Sequence, residues 1–388
     1  MTRGTDVTEF RRIYRTVRTE EFPEQLPLAL VREAALRYGE NPNQPGAIYR
    51  FQKGVLALET DIRLAKTGKG GLSATNYMDV TRALDILRFF PGPAVAVMKH
   101  LIPSGFARQT DNETLDELYR RARDADARSA FGSIVVFNRE VDLVAAGELM
   151  TTFVEGVAAP SFTADALQRL GEKSDLRLIL YDGLDRLPKF QGDSVDGLYD
   201  IKGLPTGRVL VQAPYLSSIL GPEQLILDPL VRTPDGKSVV VERDPTPQEL
   251  SDLLTAWYVN IGTRSNGIVI VKNGVTLAVG SGQQERVGAV EQALVKAYQK
   301  AMDREGIGYD PLKGILESHR LSSNPLEGAV VSSDAFFPHP DSIQRLGRCG
   351  ISAIIQPGGS INDAAIIEAV NKHGMAMGFT LERCFGHF

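Results

Sequence analysis

Short, unbroken apolar runs punctuate the chain: Ala94 to Met98, Ser133 to Phe137, Val154 to Ala159, Leu176 to Leu180, Gly267 to Val271, Ala329 to Val331, Ala353 to Ile355 and Met375 to Phe379. Their apolarity is continuous rather than alternating, which predicts strands covered on both faces. The segments between them carry helix punctuation. Thr114 and Glu117 have capping-box spacing, and Leu115, Leu118, Tyr119 and Ala122 follow at helical intervals. Thr246-Pro-Gln-Glu249 repeats the device with proline at the first helical position, predicting a helix through Trp257. Another helix is expected from Ser360 to Asp363 onward, with Gly374 placed to stop it. Strand alternating with helix implies the α/β class with largely parallel sheets.

The order is doubled. Four strands with helices between them fill 94–182, and a similar series fills 267–379, opened by a hairpin with Asn273-Gly274 at its turn. No run of matching residues is evident to prove the doubling. The stretch 183–244 is richer in proline and glycine and reads as the connection, so the boundary is expected near 205, giving units 1–205 and 206–388. A chain of 388 residues with 43% hydrophobic composition can fill two such cores. Its net charge of -5 lacks the basic footprint of a nucleic-acid binder. Cys349 and Cys384 have no Cys or His at metal-ligand spacing, so neither a disulfide framework nor a zinc site is expected and a reducing compartment fits. The first 25 residues are charged throughout and no run approaches a membrane span, so a soluble cytoplasmic protein is expected, with no membrane partner.

Within AVAVMKHLIPSG, a buried strand ends on Lys99 and His100. An imidazole titrates near neutral pH, and an ammonium beside it can share the handling of a proton or a negative charge. Neighbours on a strand point to opposite faces, so both serve one site only where the backbone turns, which Pro103 and Gly105 are expected to supply. Open sheets place their sites at the carboxyl ends of parallel strands. The competing reading is a surface Lys-His pair. The loop Arg37-Tyr-Gly-Glu-Asn-Pro-Asn-Gln44 offers a guanidinium for phosphate or carboxylate and a phenol, or is an ordinary turn. Val279-Gly-Ser-Gly-Gln-Gln-Glu-Arg286 joins a strand to a helix and exposes amide N–H groups to an anion. Glu285 occupies the third glycine position of the dinucleotide fingerprint, which argues against NAD. In Ser332-Ser-Asp-Ala-Phe-Phe-Pro-His-Pro-Asp341, the paired aromatics either pave a flat pocket with Asp341 as its polar handle or fill the core. Gln356-Pro-Gly-Gly-Ser360 is a further strand-to-helix turn, and the closing Arg383-Cys-Phe-Gly-His-Phe388 sets two basic side chains among aromatics.

Taken in order, LRYGENPNQ, LSATNYMD, KHLIPSG, SAFGSIVVFNREVD, PTPQELSDLLTAWYV, RSNGIVIVKNG, VGSGQQERV, SSDAFFPHPD, AIIQPGGSI and RCFGH resemble the transformylase portion of bifunctional purine-biosynthesis proteins over nearly the whole length from Leu36. That family formylates 5-aminoimidazole-4-carboxamide ribonucleotide (AICAR) with 10-formyltetrahydrofolate. The resemblance implies two cytidine-deaminase-like α/β/α units and a homodimer with active sites at its interface. It implies Lys99, His100, Asn266 and His387 as catalytic, and Arg37, Tyr38, Asn76, Gly132, Glu155, Phe336 and Arg383 as AICAR contacts. Arg286, Phe337, Pro338, His339 and Asp341 fall on the folate side. The resemblance further implies 10-formyltetrahydrofolate as co-substrate and no metal requirement for the chemistry.

Some positions depart from the family pattern. Asn43 stands where a histidine is usual, His339 where phenylalanine is common, and Arg264 where lysine is usual, while Arg128 lies near the folate side at a variable position. These bear on donor affinity. The chain starts near the transformylase, so it is expected to lack inosine monophosphate (IMP) cyclohydrolase activity and to rely on a separate cyclohydrolase for ring closure. A zinc nucleobase deaminase would need His-x-Glu and Pro-Cys-x-x-Cys, and neither pattern occurs. A non-catalytic nucleotide-binding regulator, and a formyltransferase with another donor or aminoimidazole substrate, stand as alternatives.

Overall fold

In the computed structural model, which describes residues 4–10, 22–51, 62–195, 198–308 and 318–388, the apolar runs become the middle of one sheet. The elements are, in order, β1 (Ile62–Lys66), α1 (Ala74–Leu87), β2 (Ala94–Lys99), β3 (Ile102–Arg108), α2 (Leu115–Ala125), β4 (Ser133–Phe137), α3 (Leu143–Leu149), β5 (Val154–Ala159), α4 (Ala164–Gly171) and β6 (Arg177–Tyr181). After the connection come α5 (Pro247–Ile261), β7 (Ile268–Lys272), β8 (Val275–Gly280), α6 (Arg286–Arg304), β9 (Val330–Ser333), α7 (Asp341–Arg348), β10 (Ala353–Gln356), α8 (Asp363–Lys372) and β11 (Ala376–Phe379). Among the described residues these eleven strands form a single sheet in the order β11-β10-β9-β7-β8-β3-β2-β4-β5-β6-β1.

Successive residues on each strand serve opposite faces, which explains why the runs are apolar without a break. Ala94, Ala96 and Met98 of β2 pack with Val80 and Leu84 of α1 and with Leu253 and Trp257 of α5. Val95 and Val97 pack with Leu118 and Tyr119 of α2 and with Ala146 and Leu149 of α3. In the second half Ile268 and Ile270 of β7 share one core with Val290 of α6, Ile343 of α7 and Ile366 of α8. The result is an α/β fold in three layers, with α1 and α5 on one face of the sheet and α2, α3, α4, α6, α7 and α8 on the other.

The doubled order is visible throughout. Each half runs helix, hairpin, helix, strand, helix, strand, helix, strand, and the two hairpins meet at the centre where β3 pairs antiparallel with β8. Among these eleven strands, parallel pairing joins β4-β5-β6 on one wing and β9-β10-β11 on the other. The hairpins make the centre antiparallel, and sequence periodicity carries no information on strand direction. A residue-level repeat is also present. Ser73, Asn76, Asp79, Lys99, His100 and Leu101 correspond, at one constant offset, to Thr246, Glu249, Asp252, Lys272, Asn273 and Gly274. It escapes a reading of identities because most pairs preserve geometry rather than side chain: both helices open on a capping box, and both hairpin turns hold two residues at positive φ.

The expected hairpin at Asn273-Gly274 is present, with φ of 52° and 73°. Its first-half counterpart was not foreseen. The backbone reverses at His100-Leu101, with φ of 54° and 68°, whereas Pro103 and Gly105 lie within β3. Left-handed conformations at a histidine and a leucine cost about 1–3 kcal/mol each, so nothing in the pair itself signals the turn. Gly105 serves packing instead, since a Cβ there would lie 1.9 Å from the Ala122 carbonyl oxygen on α2.

The helix expected from Ser360 begins at Asp363, and Gly374 ends it at φ 62°. Asp363 is 4% exposed and accepts the Gly359 N–H at 2.7 Å, and burial pushes its carboxyl up to about 6. A carboxyl whose folded value lies above its unfolded one stabilises the fold at low pH, and that contribution is lost as pH rises through about 6. Asp363→Asn is therefore expected to gain about 1–3 kcal/mol over the parent between roughly pH 4.5 and pH 8. Thermal melts of both proteins across that range check it, and parallel curves would refute the buried-acid account.

Candidate functional site

The hairpin register carries the β2–β3 turn to one end of the sheet. There it meets the beginnings of β4 and β7 and the ends of β8 and β9. Lys99 and His100 thus sit at the carboxyl end of β2, as expected, but that strand is antiparallel to both its neighbours. The parallel strands β4 to β6 present their amino ends here.

One group of side chains gathers around Lys99. Its ammonium donates to the Gly132 carbonyl oxygen at 2.6 Å. Gly132 has φ of 69°, and a Cβ there would lie 3.0 Å from Lys99 Nζ and 3.9 Å from Glu155 Oε1. The backbone angle favours glycine, and a Cβ there would press on the Lys99 ammonium. Asn76, third residue of α1, is tied into the cap: its N–H donates to Ser73 Oγ at 3.2 Å and its Oδ1 accepts the Ser73 N–H at 3.3 Å. Its Nδ2 donates to Glu155 Oε2 at 3.0 Å. Lys99, Gly132, Asn76 and Glu155 are therefore in one place. Beside them Phe131 and Phe153 are exposed, their rings 5.0 Å apart.

Lys99 and His100 also line a cavity of about 230 Å³ with Ser104, Asp126, Lys296 and Lys300. Lys300 pairs with Asp126 at 2.6 Å. Burial lowers the Lys296 ammonium, which donates to the Val279 carbonyl at 2.9 Å. Three lysines and a histidine facing one carboxylate leave the cavity basic.

Arg37 and Tyr38 approach the start of α1 along the backbone. The Tyr38 carbonyl accepts the Ala74 N–H at 3.1 Å, and the Arg37 N–H donates to Leu72 O at 2.9 Å. The guanidinium lies 5.2 Å over the Tyr38 ring and donates to the Lys69 carbonyl at 3.3 Å. Arg177, 5% exposed, fastens this loop: it donates to Gly71 O at 2.5 Å, Lys69 O at 2.9 Å and Glu155 O at 3.3 Å. Sequence reasoning missed Arg177, which lies at the start of a buried strand and there reads as an edge residue.

A second group lines a separate cavity of about 250 Å³: Asn266, Arg286, Phe336, Pro338 and Arg383, with Phe385. Arg286 is 8% exposed, paired with the fully buried Asp334, and donates to Asn266 Oδ1 at 2.7 Å. Asn266 Nδ2 in turn donates to the Gln283 carbonyl at 2.8 Å. The tail is stitched on by Cys384 N–H to Asp334 O at 3.0 Å and Ser265 N–H to Gly386 O at 2.8 Å. Glu382 anchors it further by accepting from Tyr215, Ser217 and Ser218. Arg383 lies 4.6 Å over the Phe385 ring.

Four of the candidate residues lie away from these two groups. Phe337 is fully buried in the second core, its N–H donating to Gln356 Oε1 at 3.0 Å, so it backs the turn and offers no surface to a ligand. Adjacent side chains leave an extended segment on opposite sides, and Phe336 takes the cavity side. His339 and Asp341 lie outside the lining of that cavity: His339 is exposed beside Asn362, and Asp341 opens α7 with Arg345 3.8 Å away. His387 lines another cavity, of about 470 Å³, with Leu101, Arg82 and Tyr215, and its carbonyl accepts from Lys202 at 2.7 Å. Within one chain the Lys99 group and the Asn266 group share a sheet end yet line different cavities.

Among the described residues no cluster of three or more His, Cys, Asp or Glu is arranged to hold a metal, and no helix is long and apolar enough to cross a membrane.

The chain is 36% identical over 372 residues to the bifunctional purine biosynthesis protein PurH of Persephonella marina, covering 95% of this chain and 62% of that protein. The corresponding protein of Aquifex aeolicus is 37% identical over 383 residues, covering 97% and 63%, and that of Sorangium cellulosum 39% over 374 residues, covering 95% and 61%. The chain thus spans about three fifths of the length of these relatives. The model of the AICARFT/IMPCHase bienzyme family matches residues 7–296, and on that match and these identities the chain belongs to that family.

Proposed function

We propose that the chain transfers a formyl group from 10-formyltetrahydrofolate to the 5-amino group of AICAR. The observation that carries the reading is the gathering of Lys99, His100, Asn76, Gly132 and Glu155 at one sheet end that also holds Asn266, Arg286, Phe336 and Arg383. Family membership supports it.

The amino group of AICAR shares its lone pair with an imidazole ring and a carboxamide, so it must lose a proton as it attacks the formyl carbon. His100 takes that proton. The new C–N bond gathers negative charge on the formyl oxygen, and Lys99 and Asn266 supply donors for it. One such donor is worth about 3 kcal/mol. Collapse breaks the bond from the formyl carbon to folate N10, which receives a proton as it leaves, so atoms and charge balance without a redox partner. Arg37, Tyr38 and Arg383 hold the phosphate, and Arg286 with Pro338 flanks the folate. The Lys99 and Asn266 groups line separate cavities in one chain, which favours a homodimer in which one subunit's Lys99 group faces the partner's Asn266 group.

Purified protein incubated with AICAR and 10-formyltetrahydrofolate is expected to release tetrahydrofolate and formyl-AICAR in equal amounts. AICAR bound without turnover would favour the regulatory reading. Turnover only with another donor or another aminoimidazole would favour the third.

A further inference from the structure

The two halves hold their hairpin turns in the same way, at opposite ends of the sheet. On α5, Asp252 is 3% exposed and accepts the N–H groups of Asn273 and Gly274, each at 2.7 Å. On α1, Asp79 is 4% exposed and accepts the Leu101 N–H at 2.6 Å. Each aspartate lies six positions past its capping residue, Thr246 or Ser73. The conserved geometry hides one difference. Asn-Gly is the pair such a turn favours, because both residues accept positive φ cheaply, whereas His-Leu must be held there. The far turn would keep its shape with little help. The near one depends on its carboxylate.

We propose that Asp79 is a positioning residue for the transfer: its carboxylate locks the His100-Leu101 turn and so fixes where the imidazole stands at the cavity mouth. The inference rests on the reading of His100 as the group that takes the amino proton. Lys99 and Glu155 are the charged groups that act on Asp79, one of each sign. Lys99 repeats the theme by donating to Gly132 O, as its counterpart Lys272 donates to Glu327 O. The hairpin scaffold is thus common to both halves, and the first half alone places an imidazole on it.

The test compares kcat, the KM for AICAR and melting temperature across a small set of variants. Asp79→Ala is expected to lower kcat roughly tenfold to a hundredfold, the loss that follows a misplacement of about 1 Å, with KM changed far less. Asp79→Asn keeps an acceptor oxygen and most of the rate. Adding Leu101→Gly to Asp79→Ala lets the turn hold itself and restores kcat. Asp252→Ala removes the equivalent carboxylate from the distant turn, so it lowers the melting temperature and spares kcat. If Asp79→Ala does not fold, Asp79→Ser, too short to reach Leu101, gives the same reading. Wild-type kcat in the alanine or serine variant would overturn the proposal, as would equal rate loss in Asp252→Ala or absence of rescue by glycine. A parent protein that transfers no formyl overturns the functional reading and this inference together, whereas a parent that turns over separates the two.

Discussion

His100→Ala is expected to lower kcat for formyl transfer by about 10³- to 10⁴-fold, at the upper end of what a positioned general base supplies. The size follows from the nucleophile. An arylamine conjugated to a carboxamide is too weak to attack while it keeps its proton, and after attack it is too acidic to hold it. The base must therefore stand within hydrogen-bond reach at the moment of bond formation. Lys99→Ala is expected to cost about 10²- to 10³-fold, as for loss of one donor to a developing oxyanion. In the free protein its ammonium is anchored on the Gly132 carbonyl at 2.6 Å, which leaves donors for the substrate without letting the side chain wander. The two losses are expected to add incompletely, because both groups serve the same transition state. Release of tetrahydrofolate by the two single variants and the double variant is the measurement. Single variants that retain a tenth or more of the parent rate would remove these residues from the reaction.

The sequence made the strands plain and left their directions dark. Buried runs such as Ala94 to Met98 announce themselves because both faces of the sheet are covered. The reversal at His100-Leu101 carried no turn chemistry, and only its counterpart at Asn273-Gly274 did. Aligning the two halves on Ser73 and Thr246 would have revealed it, since the capping boxes and the aspartates that follow keep their spacing. Lys99 and His100 were legible as candidates because titratable groups at the edge of apolar runs are few, whereas Asn76 entered only through the family resemblance. Asp79, Arg177 and Asp334 were not, for each bonds to backbone or to a residue distant in the chain, and such partners leave no trace in local pattern. Phe337 is the buried ring of its pair, a choice the sequence leaves open because an aromatic pair does not say which ring faces in.

Asp334→Ala is expected to destabilise the fold by about 3–5 kcal/mol, one of the largest losses available to a single substitution here. The side chain is fully buried and carries the partner charge for Arg286, whose own side chain is 6% exposed. It also accepts from Ser265 Oγ. Removing the carboxylate leaves a buried guanidinium with the Gly267 carbonyl at 3.4 Å and Asn266 Oδ1 at 2.7 Å as its acceptors, neither of them charged. The penalty is the desolvated cation rather than the lost contact, so removing both members should hurt less than removing one. Asp334→Leu with Arg286→Met is accordingly expected to recover part of the loss in urea unfolding, while Arg286→Met alone leaves a buried anion and stays low. Activity should not recover with stability. Arg286 holds Asn266 from one side and the Gln283 carbonyl holds it from the other, so the double variant frees one end of the amide that is assigned to the formyl oxygen. A double variant as unstable as Asp334→Ala would mean that local packing around Ser265, not charge pairing, sustains this corner of the site.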